Sequence, residues 1–308
     1  MKKYIITGAS GFIGKRLLAY LVNYDYLVYA VVRDADKLKE YKKHPKVTVL
    51  EISMENIHRL SDHEELTDAD CCIHLAWDGA SGDGRSDYVT QTNNIRLSCD
   101  LLDALSRISC KRFVGVGTLT QREITNESEN EDEVPRGACI YGIAKNTVQI
   151  MTRTMCGQNQ MEHIWCVVSN LYGIGDHTDN LFNHTAKALL SGNDLNYTSC
   201  EQDYDFANVD DAVCGLVSVA EKGRHNRSYY IGSGKPMRLK DYLDTIVAKV
   251  GNNQVIHYGK DMFTAKPLPK ETYSIDKIVN DTGWEPKVSF EEGAKKTIEW
   301  LKDEMEEP

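Results

Sequence analysis

The sequence predicts an α/β fold in which a doubly wound parallel sheet is followed by a smaller, mostly helical region. Three observations predict it. Short apolar segments alternate with helical patterns through the first half, a glycine-rich turn follows the first apolar segment, and helical patterns dominate the second half. Near-continuous apolar strands that alternate with helices are typical of a parallel sheet covered on both faces.

Six apolar segments predict the strands of this sheet, namely residues 4–6, 27–32, 47–50, 71–76, 113–116 and 164–168. Helical patterns at 12–21, 88–105 and 141–154 lie between them, and further helices are predicted at 181–190, 211–220, 239–250 and 290–301. We therefore predict a dinucleotide-binding domain over residues 1–170, to which a segment near 205–235 returns, and a smaller substrate-binding region over residues 171–308.

Composition excludes several classes of protein. The chain has 308 residues and a formal net charge of −10, which argues against nucleic acid as a partner. The apolar run at the start stops at Thr7 and no apolar stretch reaches membrane-spanning length, so we expect a cytoplasmic protein without a membrane partner. None of the nine cysteines forms a C-x-x-C pair and the nine histidines show no ligand spacing, so we expect reduced thiols and no metal site.

The strongest single motif is the glycine-rich segment between the first predicted strand and the first helix. Gly8 permits the tight turn, Gly11 permits close approach of a pyrophosphate, and Gly14 permits the helix to pack on the strand. The start of the helix then faces the phosphates. The segment predicts a dinucleotide cofactor, bound by Gly8, Ser10, Gly11, Phe12, Ile13 and Gly14.

Arg33 stands at the end of the second predicted strand and is followed by Asp34. An arginine at this position pairs with the 2′-phosphate of NADP, whereas an acidic residue binds the ribose hydroxyl of NAD. Arg33 comes first, which favours NADP, and Asp34 leaves NAD as the alternative.

Tyr141 and Lys145 are four residues apart on a predicted helix, so they share one face. A nearby ammonium group lowers the pKa of a phenol toward the range in which it transfers protons. Thr118 ends the fifth strand, where a hydroxyl group can bind the reacting oxygen of a substrate. Tyr273 and Lys277 have the same spacing, and we interpret that segment as surface.

These residues and several others resemble the extended short-chain dehydrogenases/reductases that act on nucleotide sugars, within the NAD-dependent epimerase/dehydratase family. The resemblance covers nearly the whole chain. It is carried by the TGxxGFIG-like segment 7–14, the HLA segment 74–76, Asn94-Ile95, the NxYG-like segment 170–173, the DFxxVDD-like segment 205–211, the IGSG segment 231–234 and the GWxP-like segment 283–286.

The resemblance implies roles for particular residues. Thr118, Tyr141 and Lys145 fall on the catalytic triplet. Tyr141 and Lys145 are also implied to bind the cofactor, with Lys145 orienting its ribose, and Leu75 and Ala76 lie along the cofactor. Trp77, Thr120 and Asn170 are implied in substrate binding.

Four positions depart from the family pattern: Gly117 replaces a serine, Arg122-Glu123 replace Tyr-Gly, and Tyr204 and Val167 replace arginines. Since Tyr204 and Val167 remove family cations, the substrate diphosphate needs other partners. Arg238, Lys266 and Lys270 are the candidates.

The residue after Thr118 bears on the reaction. Dehydratases of the family carry Asp-Glu there and 3,5-epimerase-reductases carry Cys, whereas this chain has Leu119. We therefore expect NADPH-dependent reduction of a nucleotide-bound 4-keto-6-deoxyhexose. The alternatives are an NAD-dependent 4-epimerase, a reductase of a ketone that is not a sugar, and a non-catalytic NADP-sensing regulator. The resemblance also implies a homodimer.

Overall fold

The structure, a computed structural model, describes residues 1–128, 139–259 and 267–306. Its strands are β1 (Lys2–Thr7), β2 (Tyr26–Val32), β3 (Val47–Glu51), β4 (Cys71–His74), β5 (Arg112–Thr118), β6 (Glu162–Val168), β7 (Asn170–Tyr172), β8 (Leu195–Asn196), β9 (Asp203–Tyr204), β10 (Phe206–Asn208), β11 (Arg227–Ile231), β12 (Met237–Arg238) and β13 (Ile256–His257). Its helices are α1 (Phe12–Leu21), α2 (Tyr88–Arg107), α3 (Thr120–Ser128), α4 (Cys139–Gln158), α5 (Leu181–Leu190), α6 (Val209–Lys222), α7 (Leu239–Val250), α8 (Asp276–Thr282) and α9 (Phe290–Glu306).

Seven strands form the main sheet in the order β3-β2-β1-β4-β5-β6-β11, and every neighbouring pair is parallel. This confirms the predicted fold class. The direction of winding reverses between β1 and β4, and in such sheets ligands bind at the carboxyl ends of the strands beside that reversal. The site is therefore expected where Thr7 and His74 end their strands.

Both faces of the main sheet are covered, as the apolar strands predict. On one face, leucines of α1 and apolar residues of α6 pack on the sheet, and on the other face α2 and α4 do so. Ile5 and Ile6 of β1 are fully buried on opposite faces. A rigid sheet buried in this way fixes the positions of the side chains at its carboxyl edge.

A third core lies in the C-terminal half, between α5, α7 and α9. It is rich in aromatic rings, with Phe206 and Phe290 stacked at 5.6 Å. Strand β11 returns from this half to the edge of the main sheet, beside β6. A returning segment is predicted near residues 205–235, but no strand is assigned within it, and the strands of two or three residues are too short to show an apolar period.

None of the helices in the described ranges has the length and apolar character needed to cross a membrane. Within the same ranges, no group of three or more His, Cys, Asp or Glu side chains is placed to hold a metal ion.

Candidate active site

The glycine-rich turn connects β1 to α1 and has the geometry that its glycines predict. Gly8 has a φ of +70°, and a Cβ there would lie 2.7 Å from the backbone nitrogen of Ala76. A Cβ at Gly14 would overlap the carbonyl oxygen of Gly8. Gly11 precedes the helix and provides no side-chain cap, so the first N–H groups of α1 remain open to an anionic ligand.

A cavity of about 260 Å³ lies beside this turn, at the carboxyl ends of β1, β2 and β4. Gly8, Ser10, Gly11, Leu75 and Ala76, all predicted to bind the cofactor, line it. Its other lining residues are Val31, Val32, Arg33, Lys37, Ile52, Met54, Glu55, His74, Trp77, Asp78, Asn94, Leu97 and Ser98. The glycine backbone on one side and apolar side chains on the other fit the phosphates and the adenine of a dinucleotide.

Five predicted cofactor residues are outside the lining of this cavity, and two of them, Tyr141 and Lys145, belong to α4. Phe12, Ile13 and Gly14 belong to α1, and the side chains of Phe12 and Ile13 pack against the core of the sheet. A ligand would contact Phe12, Ile13 and Gly14 through the backbone N–H groups of the first helical turn.

Arg33 and Lys37 both line the end of the cavity next to β2. The Arg33 guanidinium group lies 3.1 Å from Asp78, and its side chain stays largely exposed. Asp34 turns away from this position, since its carboxylate accepts a hydrogen bond of 2.9 Å from the backbone N–H of Asp36. Two cations therefore lie at the end of the cavity where the adenosine ribose of a dinucleotide would bind.

Tyr141 and Lys145 lie in the first half of α4 and are buried, with exposed fractions of 8% and 6%. Lys145 donates a hydrogen bond of 2.8 Å to the carbonyl oxygen of Val116, and its Nζ lies 3.7 Å from the centre of the Trp77 ring. Burial lowers the pKa of Lys145 to about 7. Trp77 contacts Tyr141 edge-on at 6.0 Å, so one indole covers both residues.

Burial raises the pKa of the Tyr141 phenol above its ordinary value. The charge of Arg85 and a hydrogen bond with the Thr118 side chain oppose this rise. Arg85 is the cation that lowers this pKa in the structure, and the expected effect of Lys145 on it stays a prediction. No motif marks Arg85, because it lies in the irregular loop between β4 and α2.

Thr118 is held in place by Gln121. The Thr118 backbone N–H donates to Gln121 Oε1 at 3.0 Å, and the same oxygen accepts from the Trp165 indole at 3.2 Å. A Cβ at Gly117 would overlap both Gln121 and Trp165. Gly117 therefore replaces the family's serine because Gln121 fills the space that a side chain would need.

The predicted substrate residues fall into two groups. Trp77 and Thr120 lie at the site, and Thr120 Oγ1 accepts a hydrogen bond of 2.7 Å from Arg85. Asn170 lies in β7, where its amide donates to the carbonyl oxygen of Asp205 at 3.2 Å.

Two of the three cations predicted to bind the diphosphate lie beside carboxylates. Arg238 is paired with Glu201 at 3.1 Å and with Asp241 at 2.7 Å, because β12 brings it beside both carboxylates. Lys270 lies 3.8 Å from Asp203. Lys266 lies outside the described residues.

Arg122 and Tyr204, two departures from the family pattern, lie among aromatic and acidic groups of the C-terminal half. Arg122 is 5.9 Å from the centre of the Tyr230 ring, and burial lowers its pKa. Burial also raises the pKa of Tyr204, and the charge of Glu123 adds to the rise. Sequence reasoning assigned no role to Arg122, which introduces a cation where the family has an uncharged side chain.

The interpretation of Tyr273 as a surface residue is wrong. Tyr273 is only 3% exposed, packs edge-on against Tyr230 at 6.2 Å, and donates to the carbonyl oxygen of Asp203 at 3.1 Å. Lys277 is exposed, one residue into α8. The turn between these residues separates them, so their spacing does not produce a second tyrosine–lysine pair.

The chain is similar to known proteins over most of its length. The model of the NAD dependent epimerase/dehydratase family matches residues 4–232. The chain is 26% identical to the dTDP-glucose 4,6-dehydratase of Haemophilus influenzae, with 97% of this chain and 98% of the relative covered. It is 25% identical to the dTDP-4-dehydro-6-deoxyglucose reductase of Escherichia coli, with 97% of each chain covered.

Among solved structures, the fold is similar to that of a UDP-glucuronic acid 4-epimerase from Bacillus cereus, in complex with NAD and UDP-4-deoxy-4-fluoro-glucuronic acid. The TM-score is 0.80 at 20% identity, and 98% of this chain and 99% of that chain are covered. At this identity, the likeness shows the fold.

Proposed function

Because the chain belongs to the NAD-dependent epimerase/dehydratase family, we propose that it is a nicotinamide-dependent oxidoreductase that reduces the 4-keto group of a nucleotide-bound 6-deoxyhexose. The observation that carries the proposal is the buried pair of Tyr141 and Lys145 on one face of α4, next to Thr118 and the cavity beside the glycine turn. The nucleotide-sugar enzymes among its relatives supply the substrate class.

The residues of the chain divide the work of the reaction. A bound nicotinamide exchanges a hydride with C4 of the sugar. The Tyr141 hydroxyl group gives its proton to the C4 oxygen, and the Thr118 hydroxyl group donates a hydrogen bond to the same oxygen as charge develops on it. Lys145 holds the cofactor ribose, while the Trp77 indole excludes water from the pair.

Leu119 favours simple reduction over dehydration. It follows Thr118 directly and is buried, with an exposed fraction of 5%. Dehydration requires an acid and a base that move protons at C5 and C6, and a buried leucine at this position supplies neither. Reduction requires the hydride that a reduced nicotinamide would supply and the proton that Tyr141 gives.

A 4-epimerase is the second candidate, and it is favoured by the similarity to an epimerase fold over nearly the full length of both chains. Epimerisation uses the same tyrosine, lysine and threonine, but the hydride returns to the sugar from which it came.

The assay that separates the two candidates offers the protein dTDP-4-keto-6-deoxyglucose with NADPH or NADH, and UDP-glucose with NAD. A reductase consumes NADPH in equal amount to the sugar reduced. An epimerase converts UDP-glucose to UDP-galactose with no net consumption of cofactor, and that result would replace the reductase proposal.

NADP(H) is the cofactor that we propose, with NAD as the alternative supported by the B. cereus structure. Arg33 and Lys37 line the cavity end where a 2′-phosphate would lie, and Asp34 is occupied as a helix cap. We expect NADPH to bind more tightly than NADH, and Arg33→Ala to reduce that preference about tenfold or more, the value of one charge-assisted contact. Fluorescence titration measures both constants. Equal affinities in the wild-type protein would contradict the assignment.

We also propose a homodimer built on α2 and α4. These two helices contact one another and carry five exposed apolar side chains, Tyr88, Val89, Ile143, Ile150 and Met151. A second copy that covers this face would remove these side chains from water. Light scattering at micromolar concentration should give twice the chain mass, and Ile150→Glu should shift the protein toward monomer, with Lys295→Glu on α9 as the control. A wild-type monomer would refute the dimer.

A further inference from the structure

The loop between β4 and α2 is held rigidly over the active site. The Gln91 amide donates to the carbonyl oxygens of Gly79 and Gly84 at 2.9 and 2.8 Å, and its oxygen accepts from the Trp77 indole at 3.0 Å. A Cβ at Gly79 would lie 2.8 Å from the Gly84 carbonyl oxygen. The two sides of the loop therefore approach as closely as glycine permits. The loop presents two side chains to α4: Trp77 covers Lys145, and Arg85 covers Tyr141.

The guanidinium group of Arg85 lies over the ring of Tyr141 and is held by a hydrogen bond to Thr120. Its guanidinium carbon lies 5.1 Å from the centre of the Tyr141 ring, and one terminal nitrogen donates to Thr120 Oγ1 at 2.7 Å. Its Nε–H group is buried and has no hydrogen-bond partner among the described residues. A buried donor without a partner costs free energy, so an acceptor supplied by a ligand at this position would be favoured.

We propose that Arg85 is part of the proton-transfer site: its charge acts on the Tyr141 phenol, and its Nε–H group holds an oxygen atom of the sugar beside that phenol. The second half of the proposal rests on the proposed function. The acceptor is a hydroxyl, carbonyl or carboxylate oxygen on the sugar ring. A diphosphate oxygen is excluded as this acceptor, because the Nε–H group lies beside Tyr141, which acts on the C4 oxygen of the sugar.

The electrostatic surroundings of Tyr141 support the first half. A cation above the face of a tyrosine ring is attracted to it and favours the ionised phenol. Other ionisable groups among the described residues lie close by: Asp78, which pairs with Arg33, and Asp83 on the loop, Lys145 on α4, Glu123 on α3 and Tyr204 on β9. Both Arg85 and Glu123 act on the pKa of Tyr204. Arg85 is the cation that lowers the pKa of Tyr141 against the effect of burial.

The test is an NMR titration of the protein with NADP⁺ bound, in which the tyrosines carry ¹³C at the ring carbon bonded to oxygen. Tyr141→Phe identifies the resonance. Arg85→Met should raise the pKa of Tyr141 by about one unit or more, the effect of losing a cation at this range, whereas Arg85→Lys should leave it close to the wild-type value. Arg107→Met removes an equal charge at the exposed far end of α2 and should have no effect. An unchanged Tyr141 titration in Arg85→Met overturns the proposal.

The contact to the sugar is tested with dTDP-4-keto-6-deoxyglucose as the probe. Because Lys keeps the charge but lacks the Nε–H group, Arg85→Lys should lower kcat/KM about tenfold to a hundredfold while its Tyr141 pKa stays normal, as expected for one lost charge-assisted hydrogen bond. An unchanged kcat/KM overturns the contact. If the wild-type protein fails to reduce this sugar, the proposed function fails, while the titration still decides whether Arg85 acts on Tyr141.

Discussion

Tyr141→Phe is expected to lower turnover by about 10²- to 10⁴-fold, the usual contribution of a positioned proton donor. The change removes one hydroxyl group and keeps the ring that packs against Trp77. The fold and the cofactor cavity should therefore be unaffected, because the lining of that cavity does not include Tyr141. Steady-state kinetics with the verified sugar gives the loss, and fluorescence titration of NADPH gives the unchanged affinity.

The matched control is Tyr24→Phe, which removes the same group from an exposed ring at the end of α1. Tyr273 is unsuitable for this purpose, since it is buried and hydrogen-bonded to Asp203. If Tyr141→Phe kept normal turnover, Tyr141 would not be the proton donor and the placement of the active site would be wrong.

Lys145→Met is expected to lower turnover by a similar factor and also to weaken cofactor binding, because the ammonium group is assigned to the cofactor ribose. The loss of affinity distinguishes it from Tyr141→Phe. Its contacts with Val116 and the Trp77 ring fix the side chain in the site. A variant with normal NADPH affinity would remove the ribose role from Lys145.

The same variant tests the environment of Lys145 through stability. Burial lowers the pKa of Lys145 from 10.5 to about 7, so between pH 7 and pH 10.5 the unfolded chain binds a proton that the folded chain does not. Stability of the wild-type protein therefore gains from this group as the pH rises through that window.

Lys145→Met lacks this dependence. Its free energy of unfolding relative to wild type should be highest below pH 7 and should fall by up to about 1.4 kcal/mol for each pH unit above it. Urea denaturation at several pH values measures the difference. A difference that does not change with pH would contradict the buried, uncharged state of Lys145.

The parts of this protein that the sequence predicts are those in which a local pattern has one structural solution. Apolar strands that alternate with helices specify the parallel sheet, and the spacing of Gly8, Gly11 and Gly14 specifies the turn between β1 and α1. Tyr141 and Lys145 share a helical face because the period of the helix requires it. The structure buries both residues together.

The remainder depends on contacts between segments that are distant along the chain. Arg85 meets Tyr141 only because Gln91 and the glycines of its loop fold it back over α4. Arg238 lies beside Glu201 because β12 pairs with β9. Tyr273 is buried because it packs against Tyr230 and donates to the carbonyl oxygen of Asp203. No local sequence pattern predicts any of these contacts.

Transfer of a hydride from NADPH to C4 of a 4-keto sugar nucleotide is the step on which the proposed function depends. The most direct test supplies NADPH with deuterium at both positions of nicotinamide C4, together with dTDP-4-keto-6-deoxyglucose, and examines the product by mass spectrometry and NMR. We expect a product one mass unit heavier than that formed from ordinary NADPH, with the deuterium bonded to C4 of the sugar. A reduced sugar without deuterium at C4, or no consumption of NADPH by the folded protein, would rule out hydride transfer to this carbon.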